Sequence, residues 1–318
     1  MTSIVHVPHV RLKVALRLGQ AFVTVLLLVL VWRIADGPQA LGVVSDLHFG
    51  WFLCGLGALT LQTLVSAQRW RLTAAQVGII LSPLHAVQEY YLAQLINQTM
   101  PGGVLGDASR AVRARSQAGL LVSGQAVVIE RLAGQAAMFA ILGVAFVTTW
   151  LMPGGIDWPA WLATSVVVLV GGALVLPLIA LALARLPGAV GGPFRSLNAI
   201  FKQALLEPKV VRAQIGLSVC AALCNLFAFA LCARALGLAL PPGAVFALIP
   251  LILLTMLIPL TISGWGVREG AAVALLPLAG ASASEGLATS IVFGLAFLLA
   301  TMPGFVALWR NPIGQSEP

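Results

Sequence analysis

Apolar runs of roughly 20 residues follow one another from end to end of this chain, parted by short connectors. That is the length an α-helix needs to cross the hydrocarbon core of a bilayer. Sixty per cent of the residues are hydrophobic and only 9% are charged, which is more apolar surface than a soluble domain can use. The chain therefore reads as an all-α, polytopic integral membrane protein. Its net charge of +8 does not point to nucleic acid, because the 18 lysines and arginines cluster in the connectors. Basic connectors between apolar runs are the mark of cytoplasmic loops facing anionic lipid.

Charge bias orders the runs. Arg11, Lys13 and Arg17 precede a first span at about Leu18–Trp32, and the connector Asp36–His48 carries two acids and no Lys or Arg, so it belongs outside. A basic arm before such a run also fits a signal peptide, but the spans that follow favour a retained first helix. A second span, Trp51–Ala67, brings Arg69 and Arg71 to the cytoplasm. The segment 72–107 is followed by Arg110, Arg113 and Arg115. A full crossing would put these three arginines outside, so a re-entrant hairpin is expected. A span at 120–151 runs outward to an interface marked by Trp150, Trp158 and Trp161, and 161–183 returns to Arg185. Phe194, Leu197, Ile200, Phe201 and Leu205 stand at helical spacing among basic residues, as on an amphipathic helix lying on the inner leaflet. Spans at 215–235 and 287–308 complete the set. Placing Arg310 inside requires 244–280 to be re-entrant from the outer face.

The result is six full spans and two opposed re-entrant broken helices in one transmembrane domain, 1–318. Its halves, about 1–158 and 159–318, each read span, span, re-entrant segment, span. Three crossings per half invert one half relative to the other. The re-entrant segments also share a pattern: PGGVLGDASR at Pro101–Arg110 and PLTISGWGVR at Pro259–Arg268 both fit P-x4-G-x3-R. Helix breakers beside an arginine at membrane depth are tolerated where the backbone lines a cavity or is buried in protein. Paired in inverted halves, they mark a transporter binding site. Three matched positions also recur by chance in a Gly- and Pro-rich membrane chain.

Little else in the chain suggests chemistry. The four cysteines lie inside apolar segments, and Cys220 and Cys224 have no histidine or carboxylate close by, so they read as packing thiols. The four histidines show no metal-ligand spacing. HExxH, CxxC, the phosphate-binding loop and GxSxG are all missing. Ser263-Gly-Trp-Gly266 lacks the strand–turn–helix setting and nearby histidine of a nucleophile elbow. No cofactor, metal or catalytic residue is expected.

Several of these residues resemble the flippase-like transmembrane region of lysylphosphatidylglycerol synthases. They are Arg69-Trp70, Pro101-Gly-Gly with Gly106-Asp107 and Arg110, Val128-Ile-Glu130-Arg131, and Ser263-Gly-Trp-Gly266 before Arg268-Glu269 and Gly270. The motifs span nearly the whole chain in the family's order. The resemblance implies a membrane domain, stand-alone in many bacterial proteins, that moves a lipid between leaflets, often an anionic or aminoacylated one. The chain stops at Pro318 without the family's aminoacyl-transferase domain, so synthesis of lysyl-lipid is not expected of it.

A phosphate-bearing headgroup inside a membrane needs a cationic partner or a helix N-terminus. Arg110, Arg131 and Arg268 offer forks for phosphate oxygens. Gly102, Gly103, Gly106, Gly264 and Gly266, with Ser263, let backbone amides turn towards it. Asp107, Glu130 and Glu269 would balance the arginines or receive a positive group. The competing structural reading is that these charges form ion pairs that merely hold the broken helices. The function expected is translocation of a phospholipid, an aminoacylated lipid or a polyprenyl lipid across a bacterial cytoplasmic membrane, both termini cytoplasmic. The partner is that lipid, and a homodimer is compatible with the sequence. An intramembrane enzyme of lipid-linked glycans, with Asp107 or Glu130 as base, is one alternative; a non-transporting accessory subunit is another.

Overall fold

A computed structural model of the chain describes residues 8–100, 103–152, 156–205, 207–208 and 210–310. Among them the protein is all helical: α1 Pro8–Ile34, α2 Gly37–Ser45, α3 Phe49–Gln76, α4 Pro83–Thr99, α5 Leu105–Arg113, α6 Arg115–Leu151, α7 Ala160–Leu183, α8 Gly188–Leu205, α9 Val211–Ala235, α10 Pro242–Leu254, α11 Val267–Leu275, α12 Ala283–Ala300 and α13 Pro303–Arg310. Among the described residues six segments are long and apolar enough to cross a membrane: Arg17–Ile34, Phe49–Gln76, Arg115–Leu151, Ala160–Leu183, Val211–Ala235 and Ala283–Trp309. They coincide with the six spans read from the sequence.

The centre is the pair α3–α9. Gly55 of α3 lies against the Ala228 carbonyl and the Cys232 thiol, and Ala221, Ala222 and Ala228 keep the facing side of α9 shallow. In lipid, where apolar burial drives little association, small residues that let backbones approach supply the van der Waals contact. Leu59, Leu226, Phe229, Leu248, Ile252 and Phe293 fill the core around this pair. Helix α7 stands at the periphery, with Val167, Val168, Leu174 and Leu176 facing outward, as a lipid-facing helix should.

Two stretches are broken. Helices α4 and α5 form a hairpin, and neither reaches the roughly 20 residues a span requires. Ser82 caps α4, accepting from the His85 N–H at 3.2 Å, and Pro83 opens its first turn. Gly106 lets α5 lie directly on α4: a Cβ there would sit 1.9 Å from the Ala93 carbonyl oxygen. The second stretch runs from α10 through 255–266 into α11, with Ser263, Gly264 and Gly266 all at positive φ. Helix α6 packs on both α5 and α10, while α12 packs on α11 and α13 on α4.

Four features depart from the sequence reading. Helix α3 continues to Gln76, so Arg69 is not in a cytoplasmic connector but inside the bundle and 5% exposed. The connector after α1 contains the short helix α2, which packs against α12. Phe201 and Leu205 of α8 pack on Ile129 and Ala133 of α6, so this part of its apolar face is turned to the bundle. The last span turns at Thr301 and Met302, where Pro303 starts a separate helix.

Candidate functional site

Polar residues are spaced along helix faces so that several helices present them to one half-open cavity of about 280 Å³. On α3, Gln62, Ser66 and Arg69 recur at i, i+4, i+7; on α4, Tyr90, Gln94, Asn97 and Gln98 follow the same period. Helix α5 adds Asp107 and Arg110, and α6 adds Glu130, Arg131 and Gln135. Helix α9 adds Ser218 and Asn225. The lining also has an apolar part, which includes Leu253, Leu254, Met256 and Leu257 with Phe293 and Phe297.

An ion-pair network fills the polar side. Glu130, 1% exposed, accepts from Arg69 through Nε at 3.0 Å and Nη2 at 2.5 Å, from Arg110 Nη2 at 3.2 Å and from the Tyr90 hydroxyl at 3.3 Å. Asp107 accepts from Arg110 Nη2 at 2.5 Å, from Arg131 Nη1 at 2.5 Å and from Asn97 Nδ2 at 3.4 Å. Arg131 also donates to the Gly103 carbonyl at 3.3 Å. Three guanidiniums facing two carboxylates leave one positive charge in excess. Room for Arg69 comes from Gly134, where a Cβ would stand 2.8 Å from Nη1.

Arg110 is the least satisfied member. It is buried, yet its Nε and Nη1 have no hydrogen-bond acceptor among the described residues. Its guanidinium carbon lies 4.9 Å from the Trp70 ring and 4.6 Å from the Tyr90 ring. The rings supply cation–π attraction but no lone pair. A buried cation with N–H groups that lack acceptors has hydrogen-bonding capacity that an anion can satisfy.

Of the candidates read from the sequence, Gly103, Asp107, Arg110, Glu130, Arg131 and Ser263 line this cavity. Gly106 serves helix packing against α4. Gly102 lies outside the described residues. Gly264, Gly266, Arg268 and Glu269 are not on the cavity wall, so the expected symmetry of Arg110 and Arg268 about one site is not what the geometry gives. Arg268, 1% exposed, is enclosed by Trp265 and by Phe293, whose ring separates it from the cavity. It donates to Glu269, to Ser290 Oγ at 2.9 Å and to the Ser290 carbonyl at 3.2 Å. Glu269 in turn accepts from the Gly266 N–H at 2.6 Å and closes the N-terminus of α11.

The sequence reading placed Arg69 in a connector and did not assign Gln62, Tyr90, Gln94, Gln135, Ser218 or Asn225 to the site. Their signal was the helical spacing of polar residues within apolar spans. The tips of the two broken stretches also meet, since Ser263 Oγ donates to Gln98 Oε1. Among the described residues no three His, Cys, Asp or Glu side chains cluster as metal ligands. The model of the family described as the lysylphosphatidylglycerol synthase TM region matches residues 15–304. No curated protein matches the chain.

Proposed function

The chain belongs to the lysylphosphatidylglycerol synthase transmembrane-region family, and from that premise we propose that it translocates a lipid between the leaflets of a bacterial cytoplasmic membrane. The observation that carries this reading is the composition of the cavity. The cavity lining joins an arginine-rich network with an excess positive charge to an apolar set that includes Leu253, Leu254 and the 39% exposed Leu257. An amphiphile with an anionic headgroup matches both parts at once: the headgroup meets the arginine-rich network and the acyl chains lie along the apolar residues. A free anion would use only the first.

The two broken stretches are the moving parts in this proposal, entering from opposite faces with both termini cytoplasmic. The reciprocal packing of α6 on α10 and of α13 on α4 is what a two-fold axis relating inverted halves requires, and it supports that arrangement. Both carboxylates of the cavity are already held by arginines, which makes them poor general bases and favours transport over chemistry.

The test is translocation by the purified protein in vesicles. An acyl-labelled anionic phospholipid should reach the opposite leaflet faster than in protein-free vesicles, with unchanged mass. A lipid of altered mass, made by the protein alone, would transfer the assignment to an intramembrane enzyme. No acceleration for any lipid of a broad panel would remove the transport reading.

A further inference from the structure

Breaking a helix inside a membrane domain frees backbone groups that must find other partners. The two broken stretches find them in different places. At the first, the Gly106 N–H donates to the side chain of Asn97 at 2.8 Å, so the hairpin serves itself. At the second, the partners come from α1. Two polar side chains, Gln20 and Thr24, interrupt the apolar run Leu18–Val31. Gln20 Nε2 donates to the Pro259 carbonyl at 3.0 Å, and the Ile262 N–H donates to Thr24 Oγ1 at 3.0 Å. Thr24 gives its own proton to the Gln20 carbonyl at 2.7 Å, which leaves its lone pairs for Ile262. The contact continues towards α11. A Cβ on Gly266 would stand 2.7 Å from Leu27 Cβ, and one on Gly270 would stand 3.5 Å from Val31 Cγ2. Gln20, Thr24, Leu27 and Val31 follow at i, i+4, i+7 and i+11, which is one face of the helix. On the other side Phe22, Val25, Leu26, Val29 and Leu30 are exposed.

Resting on the transport reading above, we propose that Gln20 and Thr24 are positioning residues for the second broken stretch, and that α1 moves with this stretch as one body against the α3–α9 core. The stretch supplies Met256, Leu257 and Ser263 to the cavity lining and meets Gln98 of the first stretch through Ser263. A shift of α1 is then a shift of that lining. Parting α1 from the stretch would strand the Pro259 carbonyl and the Ile262 amide, and hydrocarbon offers neither a replacement. Moving the two together keeps both hydrogen bonds. The exposed face of α1 slides through lipid without breaking a polar contact.

Hydrogen exchange read by mass spectrometry, on the protein in lipid nanodiscs, measures the hold itself. In Thr24→Val the Ile262 amide should exchange about tenfold faster than in the unsubstituted protein, and Thr24→Ser should restore the slow rate. Unchanged exchange in Thr24→Val would overturn the role of Thr24. In vesicles, Gln20→Leu combined with Thr24→Val should slow translocation of an acyl-labelled anionic phospholipid several-fold at unchanged lipid affinity. Weaker affinity at an unchanged rate would overturn the positioning role. Joint motion is read from spin labels placed in pairs at the exposed positions Leu18, Leu260 and Ile215, with the four native cysteines replaced. On adding phosphatidylglycerol to phosphatidylcholine vesicles, the distances from Leu18 and from Leu260 to Ile215 of α9 should shift together, and the Leu18–Leu260 distance should stay fixed. A change in the Leu18–Leu260 distance, or no change in any of the three, would overturn the one-body motion. A protein that moves no lipid would remove the transport reading, and the exchange result alone would then decide whether α1 holds the second stretch.

Discussion

The two broken stretches carry the same short pattern and put it to different uses. In the first, Arg110 sits on the wall of a polar cavity, shares Asp107 and Glu130 with Arg69 and Arg131, and keeps two N–H groups free. In the second, Arg268 lies behind Phe293 and Trp265, and Glu269 both pairs with it and ties down the Gly266 amide. The first cluster has more cations than anions, whereas the second has one of each. An intramembrane arginine is therefore not diagnostic by itself. What separates a site from a lock is the balance of charges around it and whether any donor is left unsatisfied.

The largest effect should come from breaking the lock. Arg268→Gln leaves Glu269 buried without its cation, which costs about 3–5 kcal/mol. The melting temperature in detergent should fall steeply, while lipid affinity per folded molecule stays unchanged. Arg268→Met combined with Glu269→Gln removes both charges and keeps an acceptor for the Gly266 amide, so it should recover most of that loss. A well-folded Arg268→Gln protein with weakened lipid binding would break the comparison, because both arginines would then belong to the site.

Arg110→Gln should do the reverse. Glu130 keeps Arg69 and Asp107 keeps Arg131, so the fold loses less than in Arg268→Gln. The cluster becomes neutral, and a lipid phosphate loses its charged donors, worth about 1.5–3 kcal/mol or roughly ten- to hundredfold in affinity. Arg110→Lys should recover part of this, since it keeps the charge and loses the fork. Titration with phosphatidylglycerol and a melting curve on the same preparations check it. A fall in stability as large as that of Arg268→Gln, with unchanged lipid affinity, would make the first cluster a lock too.

Features decided within one segment were legible in the sequence. The six spans follow from hydropathy, and both breaks follow from Pro, Gly and polar residues within apolar runs. Features decided by tertiary pairing were not. Arg69 comes just after an apolar run, and counting charges puts such a residue in a connector. Its partner Glu130 lies on another helix, and only that pairing makes a position deep in the bundle affordable. The same limit explains the misplaced symmetry of Arg268. Whether an arginine faces a cavity or a wall depends on Phe293, which is remote in sequence. The turn at Thr301 was legible from Pro303, but the run of apolar residues across it read as one helix.

The smallest expected effect lies where the two stretches touch. Ser263 is the one candidate of the second stretch on the cavity wall, and its hydroxyl donates to Gln98 of the first. It also holds φ at +51°, a left-handed conformation that costs a side-chain-bearing residue about 1–2 kcal/mol relative to glycine. Ser263→Ala keeps that strain and removes the hydroxyl, so stability should fall by about 1 kcal/mol, the usual worth of a neutral hydrogen bond. Ser263→Gly removes hydroxyl and strain together, and its melting temperature should return close to that of the unsubstituted protein. If the contact holds the stretches together between transport steps, both variants should change the rate of lipid translocation by a similar factor while leaving phosphatidylglycerol affinity alone. A rate that follows the melting temperature instead, falling in Ser263→Ala and recovering in Ser263→Gly, would make Ser263 a part of the lock and leave the cavity to the first stretch alone.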